Sequence, residues 1–125
     1  MLNYVRRGLG NIIILIDKLT APKSMERSPV KQAQVNLQCH DLVLYELNAC
    51  PFCVKVRRHM RRLNLKIERR DIGTSDEALK ELLEGGKADQ VPCLRITEKG
   101  NARWLYESSD IIAYLNERFA PTLEQ

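Results

Sequence analysis

The apolar positions of this chain change character along its length. Leu2, Val5, Leu9, Ile12, Ile13, Ile16 and Leu19 recur at three- and four-residue steps, which lays one apolar stripe along a helix spanning residues 1–20. Gly8 and Gly10 weaken that helix, and Ile14 with Leu15 widen its stripe. From Ala21 to Gln38 no period is sustained, and Pro22, Ser24, Ser28 and Pro29 interrupt the stretch, so 21–38 is expected to be a linker. Regularity begins at Asp41. Leu42-Val43-Leu44-Tyr45-Glu46-Leu47 is a short apolar run suited to a buried strand, and Asn48-Ala49 turns it into a helix. On that helix Cys53, Val56, Met60 and Leu63 share one face, whereas Lys55, Arg58, His59 and Arg62 fall elsewhere.

Lys66 to Ile72 alternates as a second strand does, and Ser75 or Asp76 is placed to cap a helix carrying Leu79, Leu82 and Leu83, which Gly85-Gly86 ends. Pro92 to Thr97 and Ala102 to Tyr106 then form two strands across the hairpin-length loop Glu98-Lys99-Gly100-Asn101. A last helix starts near Ser108 and buries Ile111, Ile112, Leu115 and Phe119. The order β-α-β-α-β-β-α makes the first two strands parallel and the last two antiparallel. One α/β domain with a mixed sheet, residues 39–121, is therefore expected behind the N-terminal amphipathic helix.

Charge sharpens this division. Residues 1–38 hold six Lys/Arg (Arg6, Arg7, Lys18, Lys23, Arg27, Lys31) against Asp17 and Glu26, 6 − 2 = +4, which is the net charge of the whole chain. The domain itself is balanced, which argues against nucleic acid as a partner. Four cysteines with only one close pair do not make a secreted disulfide framework, so a reducing, cytoplasmic setting is the simpler expectation.

The uncharged stretch Gly8 to Ile16 is far short of the roughly 20 residues that cross a bilayer. Three readings of the helix remain. It could lie peripherally on a membrane with Arg6, Arg7 and Lys18 at the headgroups, or dock on protein, amphipathicity not choosing between them. A signal peptide is the weakest reading, because Asp17 and Lys18 follow at once and no A-x-A site appears.

Cys50-Pro51-Phe52-Cys53 falls where the first strand hands over to its helix. There the first sulfur lies beside unpaired backbone N–H groups and the positive end of the helix dipole, which favours thiolate, the species that attacks disulfides. Pro51 takes the first helical position, where its missing N–H costs nothing. The competing reading is half a zinc site. Zinc needs four ligands, and Cys39, His40, His59 and Cys93 supply no second close pair, so redox chemistry is expected and no metal.

Cys50-Pro51-Phe52-Cys53, Gln90-Val91-Pro92 and Glu107-Ser108-Ser109-Asp110, in this order and on this element pattern, resemble a glutaredoxin. The last segment is closer to the N-terminal domains of glutathione transferases. Both families share the thioredoxin fold, and the resemblance covers about Leu42 to Phe119. It implies a four-stranded mixed sheet flanked by helices and a monomeric thiol-disulfide oxidoreductase with glutathione as co-substrate and disulfide-containing proteins as partners. In such a mechanism Cys50 attacks and Cys53, or a second glutathione, resolves the mixed disulfide. Pro51 and Phe52 would form the rim, a cis Val91-Pro92 would offer Val91 backbone to glutathione, and Glu107 and Ser108 would meet its γ-glutamyl end. Ser108 could equally be a simple helix cap.

The sequence also departs from the resemblance. The Lys that many glutaredoxins carry just before the first cysteine is absent from Leu47-Asn48-Ala49; Arg57, Arg58 or Lys87 could replace it, although a solvated charged face is the commoner use of Arg57, Arg58, Arg61 and Arg62. Pro51 disfavours a bridging iron–sulfur cluster. Cys93 reads as a small apolar strand residue and Cys39 as an exposed residue at the linker edge. The alternative function is a non-catalytic glutathione-binding or adaptor module; a complete transferase is disfavoured because a helical second domain does not fit this length.

Overall fold

The structure, a computed structural model, describes residues 23–120 together with Ile12 and Leu15. The helix expected over 1–20 therefore lies outside the described residues, apart from Ile12 and Leu15, which are helical and exposed. Among the described residues no helix is long and apolar enough to cross a membrane.

The order is α1 (Pro29–Cys39), β1 (Leu42–Glu46), α2 (Pro51–Arg62), β2 (Glu68–Asp71), α3 (Asp76–Glu81) running into a π-helical turn (Leu82–Gly86), β3 (Cys93–Glu98), β4 (Asn101–Tyr106) and α4 (Ser108–Phe119). The sheet order is β2-β1-β3-β4, with β1 parallel to β2 and antiparallel to β3, and β3 antiparallel to β4. This is the thioredoxin fold.

β1 is buried along its whole length, so its alternating side chains must fill both faces. Leu42 and Leu44 join Val56, Met60, Leu94, Ile96, Ile111 and Leu115 beneath α2 and α4. Val43 and Tyr45 pack with Ala78, Leu82 and Cys93 beneath α3. α2 ends where Asn64 turns left-handed (φ 55°), letting Leu65 N–H donate to Met60 C=O at 3.0 Å. The β3–β4 turn places both Lys99 (φ 51°) and Gly100 (φ 80°) at positive φ, as a type I′ hairpin requires. Gly85 and Gly86 are needed for close approach: a Cβ on the first would run into the Trp104 indole and one on the second into the Tyr106 hydroxyl.

Four expectations are corrected. The 21–38 stretch is not all linker, because Pro29–Cys39 is helix α1: Ser28 accepts the Lys31 N–H and Pro29 takes the first turn. Cys39 is consequently not exposed but 1% accessible, drawn into the core by that helix. The helix placed under Leu79, Leu82 and Leu83 ends at Glu81, so that Leu82 and Leu83 fall in the π-helical turn, where Leu82 is fully buried and Leu83 exposed, and Ala78 is the buried residue of α3 itself. Ile112 is half-buried rather than buried.

The Ser24–Ser28 segment that leads into α1 is tied to the ends of α2 and α4. Met25 N–H donates to Arg62 C=O (2.9 Å), the Ser24 hydroxyl to Arg61 C=O (2.8 Å), and Arg27 Nη2 to Phe119 C=O (3.1 Å).

Candidate active site

Strand register brings the sequence motifs to one edge of the sheet. Tyr45, near the end of β1, pairs with Cys93 at the start of β3, and Cys93 pairs with Tyr106 at the end of β4. The turn after β1, the Val91-Pro92 segment before β3 and Glu107-Ser108 after β4 therefore emerge side by side. Gln90 Nε2 donates to Glu107 Oε1 at 3.1 Å, directly joining the last two. Gln90 was visible only as part of a motif; its partner needed the register.

Cys50 is the N-cap of α2, half-buried and in extended conformation, and no side chain caps this helix start. Its N–H donates to Leu47 C=O (3.2 Å) and its C=O accepts from Val54 N–H (2.9 Å). Cys53, one turn on, is fully buried. Burial pushes its thiol up to about 12, and its hydrogen bond with Cys50 adds to the rise, so Cys53 stays protonated near neutrality. The two cysteines thus differ as an accessible attacker and a sheltered partner should. Pro51 is exposed, and Phe52, 62% accessible, forms an apolar rim.

The Val91-Pro92 peptide is cis; Val91 is half-buried and Pro92 buried. Glu107, exposed, occupies the N-cap position of α4 at φ 71°, a region that favours glycine, and its side chain makes no capping bond. Ser108 is the first helical residue, not the cap, which corrects the simple-cap reading. α4 therefore begins without a side-chain cap, as α2 does, whereas α1 and α3 are capped by Ser28 and Ser75. Open N–H groups at a helix start suit an anion.

Sequence reasoning missed the group beneath the cysteines. Arg57 does not join a solvated face; it is 6% exposed, because burial is made tolerable by acceptors inside. Its Nη1 donates to Asn48 Oδ1 (3.0 Å), its Nη2 to Asn48 C=O (2.5 Å), and its Nη1 lies 3.5 Å from Oε2 of Glu46, itself 4% exposed. Arg57 is thus engaged internally and does not replace the missing upstream Lys. Burial pushes the Glu46 carboxyl above its ordinary range, and the Arg57 and Arg69 charges oppose that rise.

The remaining candidates fall outside the site's chemistry. Cys93 is fully buried, its thiol pushed up to about 11 by burial, which makes it a packing residue, as its place in a strand implied. His59 Nε2 pairs with Asn116 Oδ1 at 2.7 Å on α4. Among the described residues, no three His, Cys, Asp or Glu are grouped to hold a metal ion.

The family described as glutathione S-transferase, N-terminal domain matches residues 44–122. No curated protein matches the chain. Among solved structures, it is similar to the trimeric glutathione transferase TDR1 of Leishmania (29% identity, TM-score 0.53, 66% of this chain and 18% of that one). It is also similar to glutathione transferase E6 of Drosophila melanogaster (30%, TM-score 0.51, 65% and 36%) and to an epsilon-class transferase of the housefly Musca domestica (25%, TM-score 0.52, 65% and 36%). The matched part of the chain spans between 18% and 36% of the length of these proteins.

Proposed function

The chain belongs to the glutathione S-transferase N-terminal domain family, and from that premise we propose that it is a glutathione-dependent thiol-disulfide oxidoreductase acting through Cys50 and Cys53. The observation that carries this reading is the asymmetry of the pair. Cys50 is accessible at an uncapped helix start, and Cys53 is buried, protonated and hydrogen-bonded behind it.

Glutathione is the co-substrate in this reading. Its γ-glutamyl carboxylate would meet the open N–H groups around Ser108 and its amino group Glu107. Its backbone would pair with the backbone of half-buried Val91 beside the cis Pro92, and its sulfur would lie at Cys50 between Pro51 and Phe52.

Each step conserves thiols. Cys50 thiolate attacks the glutathione sulfur of a glutathionylated protein; the S–S bond breaks, and the protein thiolate leaves and takes a proton. The Cys50–glutathione disulfide is then cleaved by a second glutathione thiolate, releasing oxidised glutathione and restoring Cys50. With a protein disulfide as substrate, Cys50 thiolate first displaces one protein thiolate and forms a mixed disulfide. Cys53 then gives up its proton and attacks the Cys50 sulfur, expelling the second protein thiolate, which takes a proton, and the resulting Cys50–Cys53 disulfide is reduced by two glutathiones with release of oxidised glutathione.

A glutathione-coupled disulfide reductase assay tests this. Cys50→Ser is expected to abolish reduction of a glutathione mixed disulfide, and Cys53→Ser to retain part of it. Full activity in both variants, or glutathione binding without turnover by the wild type, would sink the oxidoreductase reading; the second outcome points to a binding or adaptor module.

A further inference from the structure

Building on the dithiol reading, we propose that Arg57 is the positioning residue for Cys50, holding the Leu47–Ala49 turn that presents the nucleophile. Arg57 follows Cys53 by one helical turn on the same face, and a helical side chain leans toward the N-terminus of its helix. That lean carries the guanidinium back under the turn before Cys50.

The contacts rank in an informative order. Among the described residues the hydrogen bonds of Arg57 go to Asn48, at 3.0 Å to the side-chain oxygen and 2.5 Å to the backbone carbonyl. Its countercharge, Glu46 Oε2, is farther away at 3.5 Å, and among the described residues neither that oxygen nor Arg57 Nε finds a hydrogen-bond partner. An arginine serving only as half of an ion pair would face Glu46 with its fork; this one faces the turn. Glu46 supplies the negative charge without which a guanidinium so deeply buried would be untenable, and Arg69 Nη1 reaches its other oxygen at 3.4 Å.

The turn is gripped from a second side as well. Asp71, the last residue of β2, accepts the Asn48 N–H at 3.2 Å and the Gly73 N–H at 2.7 Å. Asn48 is thus pinned at its N–H by β2 and at its carbonyl and amide by α2, and Cys50 lies two residues on. The fork matters here. A guanidinium can serve two acceptors of one residue at once in a fixed plane, which an ammonium on a flexible stem does not reproduce.

Full-length reduced protein is treated with iodoacetamide and Cys50 modification is followed by peptide mass spectrometry, with the melting temperature measured in parallel. Arg57→Lys keeps a positive charge beside Glu46 and loses the fork. Its melting temperature is expected to stay near that of the wild type while the Cys50 rate falls about ten-fold, since small misplacements of a reacting group are costly. Asn48→Ala, at an exposed position, is expected to fold normally and to lower the rate about three-fold, because only one of the two Arg57 bonds is lost while the backbone carbonyl and N–H stay held by Arg57 and Asp71. If the Lys variant recovers rate and stability together, the role is structural and the proposal is overturned. If the Lys variant does not fold, Asn48→Ala decides: a rate within two-fold of the wild type overturns it. Alkylation does not depend on glutathione. A wild type inert toward glutathione mixed disulfides but showing this pattern would remove the oxidoreductase reading and leave the positioning role standing.

Discussion

Tyr45 and Glu46 are neighbours on β1, both buried and both surrounded by arginines, yet their side chains enter opposite faces of the sheet and meet different fates. The Tyr45 hydroxyl donates to Glu81 Oε2 (2.6 Å) and accepts from Arg95 Nη1 (3.2 Å) and Arg70 Nη1 (3.4 Å), which uses its whole hydrogen-bonding capacity. Its ring lies 5.4 Å from that of Trp104, and the Arg95 guanidinium is 5.9 Å from each ring. Glu46, by contrast, has an oxygen without a hydrogen bond, as does its partner Arg57 at Nε. The complete network fastens α3 to the sheet. The incomplete one lies under the dithiol, where Arg57 gives up the better pairing with Glu46 to hold Asn48. Polar groups left short of partners are costly, so their survival at one place points to a use there.

The comparison breaks most visibly at Arg57. Arg57→Leu leaves the Glu46 carboxylate buried without its buried partner, only the exposed Arg69 remaining beside it, and is expected to lower stability by roughly 3–5 kcal/mol in urea unfolding. Glu81→Ala on the other face should cost less, about 1–3 kcal/mol, because Glu81 is 28% exposed and water can reach the groups it leaves. The Cys50 alkylation rate of that second variant should remain within about two-fold of the wild type, as expected for independent sites. A Glu81 variant that slowed Cys50 as strongly as an Arg57 variant would show the two faces to be coupled and the contrast between them empty.

The same contrast explains what could be read from the sequence. β1 and the apolar face of α2 were legible because Leu42 to Tyr45 form an unbroken apolar run and Cys53, Val56, Met60 and Leu63 recur at helical spacing. α1 was not, because only Cys39 is fully buried on it while Val30 and Leu37 face outward, so its stripe never forms; its real signal was Ser28-Pro29, which also fits a turn. The motifs around the cysteines were individually visible, but their meeting at one sheet edge depends on the Tyr45–Cys93–Tyr106 register. Arg57 was hidden by its chemistry. Its spacing from Cys53 placed it on the inner face, yet charge argues for solvent unless acceptors wait inside, and Glu46 and Asn48 come from outside the helix.

The smallest effect separates the two faces by pH. Burial, followed by the hydrogen bond to Glu81, pushes the Tyr45 phenol from its ordinary 10.0 up to about 12, and burial pushes the Cys53 thiol from 9.0 up to about 12. Both groups are therefore more easily ionised unfolded than folded. Their contribution to stability is fully present below the unfolded values and is lost as pH rises through the folded ones. Stability should accordingly begin to fall above about pH 9 and fall more steeply above about pH 10, continuing to about pH 12. Tyr45→Phe removes one hydroxyl whose partners remain partly exposed, so it should cost only about 1 kcal/mol at neutral pH. It should also lessen the extra steepness above pH 10, to which Tyr106 likewise contributes, while leaving the earlier decline intact. Cys53→Ala should do the opposite, lessening the decline from pH 9 upward, to which the buried Cys93 also contributes, and leaving the Tyr45 part in place. Melting curves between pH 7 and 12 separate these outcomes, and identical alkaline profiles for the two variants would contradict the assignment of separate contributions to Tyr45 and Cys53.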